Sequence, residues 1–219
     1  MLPHFQTLTH ARNYFVARFA KREREFKILA RLAEGRQDDV QALSVFVGQT
    51  IFDACDTMTS IHAGIYAGIG YCEANNFEGE KTIAWEAPVG YLVNIRNRPT
   101  LALGVEFRGK VLCIRQLQGV RGAPIPPELR HWPKLLVKAC MEYALRLGVI
   151  EEVRLYAADQ TLFFHYPVFE DDNGQKYADR VKDHQQRISA RYNGTARKLK
   201  FASNERYYVW RNPTYTRPG

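Results

Sequence analysis

The feature that most constrains this chain is an unbroken α/β succession between Leu101 and Asn212. An apolar run, Leu101-Ala-Leu-Gly-Val-Glu-Phe107, meets the turn pair Arg108-Gly109, and a second run over 110–118 ends at Gly119-Val-Arg-Gly122. Two apolar runs joined by so short a turn predict a β-hairpin. The rigid link Ala123-Pro-Ile-Pro-Pro127 follows, and then residues 128–147 carry apolar side chains at helical spacing. That stripe is Leu129, Trp132, Leu136, Cys140, Tyr143 and Leu147, with Leu135 and Ala139 alongside. Pro133 suits only the start of a regular helix, so the preceding turn is expected to be separate, and Gly148 is expected to end the helix. Strands are expected at 153–157 and 207–210, and the tail beyond Trp210 is expected to fray.

Ahead of this unit the periodicity predicts two helices. The first spans 9–33 on Tyr14, Phe15, Phe19, Phe26, Ile28, Leu29 and Leu32. Gly35 is expected near its C-cap, with Asp38 or Asp39 near the next N-cap. The second runs from 40 to about 57 on Leu43, Phe46, Val47, Ile51 and Phe52. Residues 60–71, with glycines at 64, 68 and 70, fit either a closely packed helix or a strand with a bend. Short strands are expected at 82–85 and 90–95, and a polar loop at 170–174. A charged helix follows at 176–190, and residues 192–201 either continue it or form their own helix.

A chain of 219 residues with 46% hydrophobic residues suits one domain, with a helical part over about 9–58 and a sheet-and-helix core over about 82–212. The formal charge of +8 and a pI near 9.4 suit an anionic partner such as nucleic acid or a phosphorylated cofactor. They equally suit a solvated basic surface. The four cysteines and six histidines lack zinc-ligand spacing, so no metal centre is predicted, and no P-loop or Ser-His-Asp context is visible. Few cysteines, no secretory signal and no run of about 18 apolar residues lead to the expectation of a cytoplasmic protein with no membrane partner.

The order of two helices, a mostly antiparallel sheet, a strand 110–118, a glycine-containing loop 119–127, a long helix and a strand 153–157 resembles the GCN5-related N-acetyltransferase (GNAT) fold. The segment Thr195-Ala-Arg-Lys-Leu-Lys-Phe201, followed by Tyr207-Tyr-Val-Trp210, is similar to that family's last helix and closing strand. The resemblance implies an α/β architecture with a mixed, mostly antiparallel sheet flanked by helices. It also implies acyl transfer from acetyl-CoA or another acyl-CoA to an amine on a small molecule or nucleic acid. This chain departs from the family's loop pattern: Gln116-Leu-Gln-Gly119-Val-Arg121 puts Arg where a small residue is usual, and Gly122 comes one place late. Arg130-His-Trp-Pro133 stands where glycines usually open the helix, and Ala196 where a general-acid tyrosine is common. A narrower likeness, to the VirK/YbjX family, rests on Gln118-Gly119, His131-Trp-Pro-Lys134 and Arg191-Tyr-Asn193. It implies no particular activity.

Three groups of residues could carry function. In the loop, Gly119 and Gly122 let backbone N–H groups approach an anion, with Gln118, Arg121 and Lys134 beside them. This is a phosphate cradle or a plain strand-to-helix connection. For proton transfer, Glu106 late on an apolar strand is the candidate base, and Tyr192 could replace the missing acid tyrosine. His165 follows the strand-end pair Asp159-Gln160 among aromatic residues. Glu106 equally fits an edge-strand glutamate that faces solvent, and His165 and Tyr192 each also fit an ordinary packing role. Finally, Arg180, Lys182, Arg187, Arg191, Arg197, Lys198, Lys200 and Arg206 interleave with Tyr192, Phe201, Tyr207, Tyr208 and Trp210. Cations for phosphates and rings for bases suit tRNA, DNA or another nucleic acid, and the same mixture suits a charged helix face over an aromatic core. The alternative to acyl transfer is therefore a non-catalytic protein of this fold that binds nucleic acid or a protein partner.

Overall fold

Two periodicities organise the molecule: strict alternation in the strands, which sorts side chains between two sheet faces, and helical stripes that cover one of those faces. The computed structural model describes residues 23–57, 59–66, 70–72, 83–120, 122–165 and 174–215. Helix α1 covers 23–34 of these and α2 covers Gln37–Ala54. The strands are β1 (Thr59–Ile65), β2 (Gly70–Cys72), β3 (Ile83–Trp85), β4 (Val89–Ile95), β5 (Arg98–Arg108) and β6 (Val111–Gly119). After a 3-10 turn at Pro127–Leu129 come α3 (Trp132–Leu147), β7 (Glu152–Tyr156), the short α4 (Leu162–His165), α5 (Gly174–Lys198), β8 (Ala202–Ser203) and β9 (Tyr207–Arg211).

The fold is α/β, with an open sheet of seven strands in the order β1-β4-β5-β6-β7-β9-β8. All its pairings are antiparallel except β6 with β7. Strands β2 and β3 form a separate hairpin. The expected hairpin at 101–118 is β5–β6, and Gly109 turns it at φ +55°, a conformation that glycine adopts without strain. Residues 60–71 resolve in favour of a strand over 59–65. The paired row of Gly64, Gly90 and Gly104 gives Gly64 a sheet role, and Gly70 lies in β2. A Cβ on Gly90 would lie 2.6 Å from the Trp85 ring, and one on Gly104 would lie 2.8 Å from Gln116 Cβ.

Leu101, Leu103, Val105 and Phe107 of β5 are buried on one face of the sheet, with Leu112, Ile114 and Leu117 of β6 and Val153 and Leu155 of β7. Helices α2 and α3 cover that face with Val40, Leu43, Val47, Ile51, Leu136, Cys140 and Tyr143. Pro133 occupies the first turn of α3, the preceding turn is separate, and Gly148 closes the helix in the left-handed region at φ +66°. The stripes need correction at their edges. Ile28, Leu32, Phe52 and Leu147 are exposed, because each lies at the border of the arc that faces the sheet. Val137 and Ala144 are buried in their stead on α3.

The tail expected to fray is held as far as Tyr215. Asn212 is buried and donates from Nδ2 to Ala144 O (2.8 Å) and Ile150 O (2.9 Å). Thr214 Oγ1 donates to Asn212 Oδ1 at 2.8 Å. Helix α5 is continuous through residues 192–198, so of the two alternatives for that segment the continuation holds. Residues 9–22 of the expected first helix and residues 170–173 of the expected polar loop lie outside the described residues.

Candidate functional site

Where β6 and β7 part, the sheet leaves backbone groups without strand partners. The parallel pairing ends at Ile114 with Leu155, while β6 continues to Gly119. The backbone of Leu117 therefore needs hydrogen bonds from elsewhere, and α5 supplies them. Leu117 N donates to Tyr192 Oη at 2.9 Å, and Arg191 Nη1 donates to Leu117 O at 3.0 Å. Tyr192 Oη also donates to Arg115 O at 3.4 Å. Burial holds the Tyr192 phenol protonated well above its ordinary range, with the Glu86 carboxylate adding to the shift. Arg191 lies 5.2 Å over the Trp132 ring, and its burial lowers its pKa. These two residues act as wedges in the split.

The loop beyond the split is partly satisfied from within. Val120 N donates to Thr100 O at 2.8 Å and Ala123 N to Val120 O at 3.2 Å. Ile125 covers Gly119, whereas the glycine conformation at Gly122 (φ +74°) faces open space. Lys134 is exposed on the first turn of α3, and Arg121 lies outside the described residues. A cleft of about 660 Å³ adjoins the far side of this loop. It runs between Pro124–Glu128, the end of α2 at Cys55–Thr57 and the β4–β5 turn, where Arg96 and Asn97 hold positive φ values.

Glu106 is fully buried on the sheet face opposite the apolar core, paired with Cys113 across the hairpin. Its carboxylate binds two guanidiniums, Arg115 Nη1 at 2.8 Å and Arg108 Nε at 2.5 Å, and accepts from Tyr156 Oη at 3.3 Å. A bulge in β6 makes this possible. The register slips between Gly104 and Val105, so Arg115 and Gln116 together face Gly104 and Arg115 reaches the carboxylate. Burial, and then the Glu106 charge, push the Cys113 thiol up to about 12 and the Tyr156 phenol likewise up to about 12. For Arg115, burial opposes the charged form but Glu106 outweighs it, so the net shift is upward. A carboxylate clasped by two arginines is a structural anchor before it is a base.

His165 Nε2 lies 2.6 Å from Asp159 O, and its ring meets Phe164 edge-on. The three candidate proton-transfer residues thus have different partners: Glu106 its arginines, Tyr192 the free edge of β6, and His165 the turn after β7.

The basic C-terminal layer concentrates the charge. Residues 174–211 hold ten Lys and Arg against three Asp and Glu, a net +7 of the chain's +8. Arg187, Arg197, Lys198 and Lys200 are exposed, as are Lys182 and Arg206, while Arg191 turns inward. Lys200 closes α5 at φ +58°, a position where glycine is usual, and Phe201 N donates back to Ala196 O at 3.0 Å. Sequence reasoning missed Arg154, Arg211 and Tyr156, which join the layer through the sheet. For Arg154 and Tyr156 the signal was the alternation in Glu152-Val-Arg-Leu-Tyr156, which puts a charge or ring at every second position, while Arg211 joins through the pairing of β9 with β7. No protein-family model matches this chain, and no curated protein matches it. Among the described residues, no helix is long and apolar enough to cross a membrane.

Proposed function

We propose that this protein binds nucleic acid through its C-terminal layer, α5 with β8 and β9, as a non-catalytic relative in architecture of the GNAT fold. The observation that carries this reading is the net +7 of residues 174–211, displayed on exposed Arg187, Arg197, Lys198 and Lys200 beside a half-buried aromatic strand. Phosphate neutralisation releases counterions and needs clustered, exposed cations of this kind. The left-handed Lys200 supports it, because a side chain kept in a costly backbone position has a use that glycine would not serve. The clasped Glu106 and the wedged split favour binding without reaction on this reading.

The test is fluorescence anisotropy with a labelled single strand of about 16 nucleotides over a salt series. Replacing Arg187, Arg197, Lys198 and Lys200 together by Gln is expected to weaken binding and to lower the slope of log K against log salt by about 3, at about 0.7 per lost phosphate contact. An unchanged slope in that variant refutes the assignment of these four side chains.

A second reading, acyl transfer from an acyl-CoA donor to an amine, is favoured by one observation. Strand β6 runs on past its parallel partner into the 119–122 loop, leaving an edge that an extended ligand could join. On this reading Gln118, Gly119, Arg121, Gly122 and Lys134 would hold the donor, and Glu106, His165 and Tyr192 would move protons. Tyr192 and Arg191 would first have to release Leu117. Thermal stabilisation by CoA or acetyl-CoA that disappears in Arg121→Ala supports this second reading, and no stabilisation removes it.

A further inference from the structure

The sheet face opposite the helices holds a group of side chains that the α5 surface does not include. Register places Glu106 with Cys113, Cys113 with Arg154, Tyr156 with Tyr207 and Glu152 with Arg211, so all of these project from that one face. Two glutamates each bridge two arginines. Glu106 binds Arg108 and Arg115, while Glu152 binds Arg154 Nη2 at 2.6 Å and Arg211 Nε at 3.5 Å. Between the two bridges the Tyr156 and Tyr207 rings lie 6.5 Å apart. Arg154 is stacked 4.8 Å over Tyr207, and Arg115 lies 5.0 Å over Tyr156.

Their exposure decides what this group can do. Glu106 itself is fully buried and its Arg115 is only 9% exposed, while its other arginine, Arg108, is 40% exposed and is also tied to Glu25. The Glu152 bridge opens outward, with Arg154 30% and Arg211 83% exposed. Tyr207 is half-buried at the same place. A flat ring carrying a flat guanidinium, fixed through a glutamate and with a second, largely exposed arginine at its rim, suits a ligand that joins an aromatic plane to an anion. A nucleotide is such a ligand. Bases stack on tyrosine and on guanidinium planes, and phosphates take arginine. A bare polyanion would need the arginines but not the rings.

We infer that the outer face of β7 and β9 is a stacking platform for single-stranded nucleic acid, with the Tyr207–Arg154 stack receiving a base and Arg211 the adjoining phosphate. This rests on the nucleic-acid reading above and adds the strand type and the recognition surface. The platform lies on the face of β7 and β9 opposite the core that α5 helps to cover, with β8 forming the sheet edge beside it. A strand held by Arg197, Lys198 and Lys200 can therefore turn over the short edge strand β8 onto it.

The experiment compares the full-length chain with Tyr207→Ala, Tyr207→Phe and Arg211→Gln, using labelled single strands, a duplex of the same length and polyphosphate as competitors. Tyr207→Ala is expected to weaken single-strand binding about tenfold, within the range for loss of one base stack, without changing the salt slope. Tyr207→Phe, which keeps the ring, is expected to retain wild-type affinity. Arg211→Gln is expected to lower the slope by about 0.7. Near-UV and far-UV circular dichroism confirm that each variant is folded, and Tyr207→Phe serves as the second variant should Tyr207→Ala unfold. If Tyr207→Ala binds within about twofold of wild type while the α5 quadruple variant does not, the platform is wrong and the nucleic-acid reading stands. The platform also falls if duplex or polyphosphate competes as well as single strand, or if Tyr207→Phe loses affinity. Absence of any wild-type binding overturns both.

Discussion

Replacing Tyr192 by Phe separates a wedge from a catalyst. The substitution keeps the ring in its buried socket and removes one oxygen, which now accepts from Leu117 N at 2.9 Å and donates to Arg115 O at 3.4 Å. The first bond has good geometry and the second is long, so the main loss is a partner for a buried backbone N–H. Leaving such a donor unsatisfied costs about 1–3 kcal/mol, and about 2 kcal/mol is the central expectation. In a protein of this size that corresponds to a fall in melting temperature of roughly 4–8 °C. Urea unfolding measures the free energy, and differential scanning calorimetry measures the shift. Amide exchange at Leu117 is expected to accelerate, while exchange within the paired part of β6 stays slow. A loss below about 0.5 kcal/mol refutes the wedge, because it means that Leu117 does not depend on the phenol.

Further predictions concern the buried network and the helix end. Glu106→Gln leaves two arginines without their carboxylate and is expected to cost about 3–5 kcal/mol by urea unfolding. The double variant with Arg115→Met is expected to cost less than the two single changes added together. The raised Cys113 thiol makes the protein alkali-sensitive. Its folded value of about 12 exceeds its ordinary 9.0, so the contribution is intact below about pH 9 and is lost as pH rises toward 12. Stability from this group should fall by about 1.4 kcal/mol per pH unit in that window, and Cys113→Ala should flatten the profile measured by thermal unfolding. Lys200→Gly relieves a left-handed lysine and is expected to gain about 0.5–1 kcal/mol while weakening oligonucleotide binding, a combination that packing alone does not produce. Gly104→Ala drives a methyl to within 2.8 Å of Gln116 Cβ and 2.9 Å of Ala87 Cβ, and is expected to destabilise by about 1–3 kcal/mol.

The hairpin, the long helix and its glycine stop were legible because each carries a local signal: Arg108-Gly109 between apolar runs, apolar spacing through Trp132, Leu136 and Tyr143, and Gly148. The glycine row was ambiguous because Gly64 is explained only by its neighbours Gly90 and Gly104 on other strands. The tail was misread because the tether of Asn212 to Ala144 and Ile150 spans more than sixty residues of sequence. For the site, periodicity could mark Glu106 as a carboxylate in an apolar strand, but the bulge that brings Arg115 to it follows from register. Tyr192 stood out as a tyrosine with a possible task. That the task is to complete a strand edge depends on where β6 and β7 part, and pairing in three dimensions sets that point. The cationic segment was visible by composition alone, whereas Arg154 and Arg211 join it only once β7 and β9 pair.

The most direct measurement is the affinity of the wild-type chain for a single-stranded oligonucleotide between about 50 and about 200 mM salt. Binding whose logarithm falls linearly with log salt, at a slope of about −3 or steeper, is the predicted result for at least four phosphate contacts. Affinity that is absent at the lowest salt, or that does not change across the series, contradicts it.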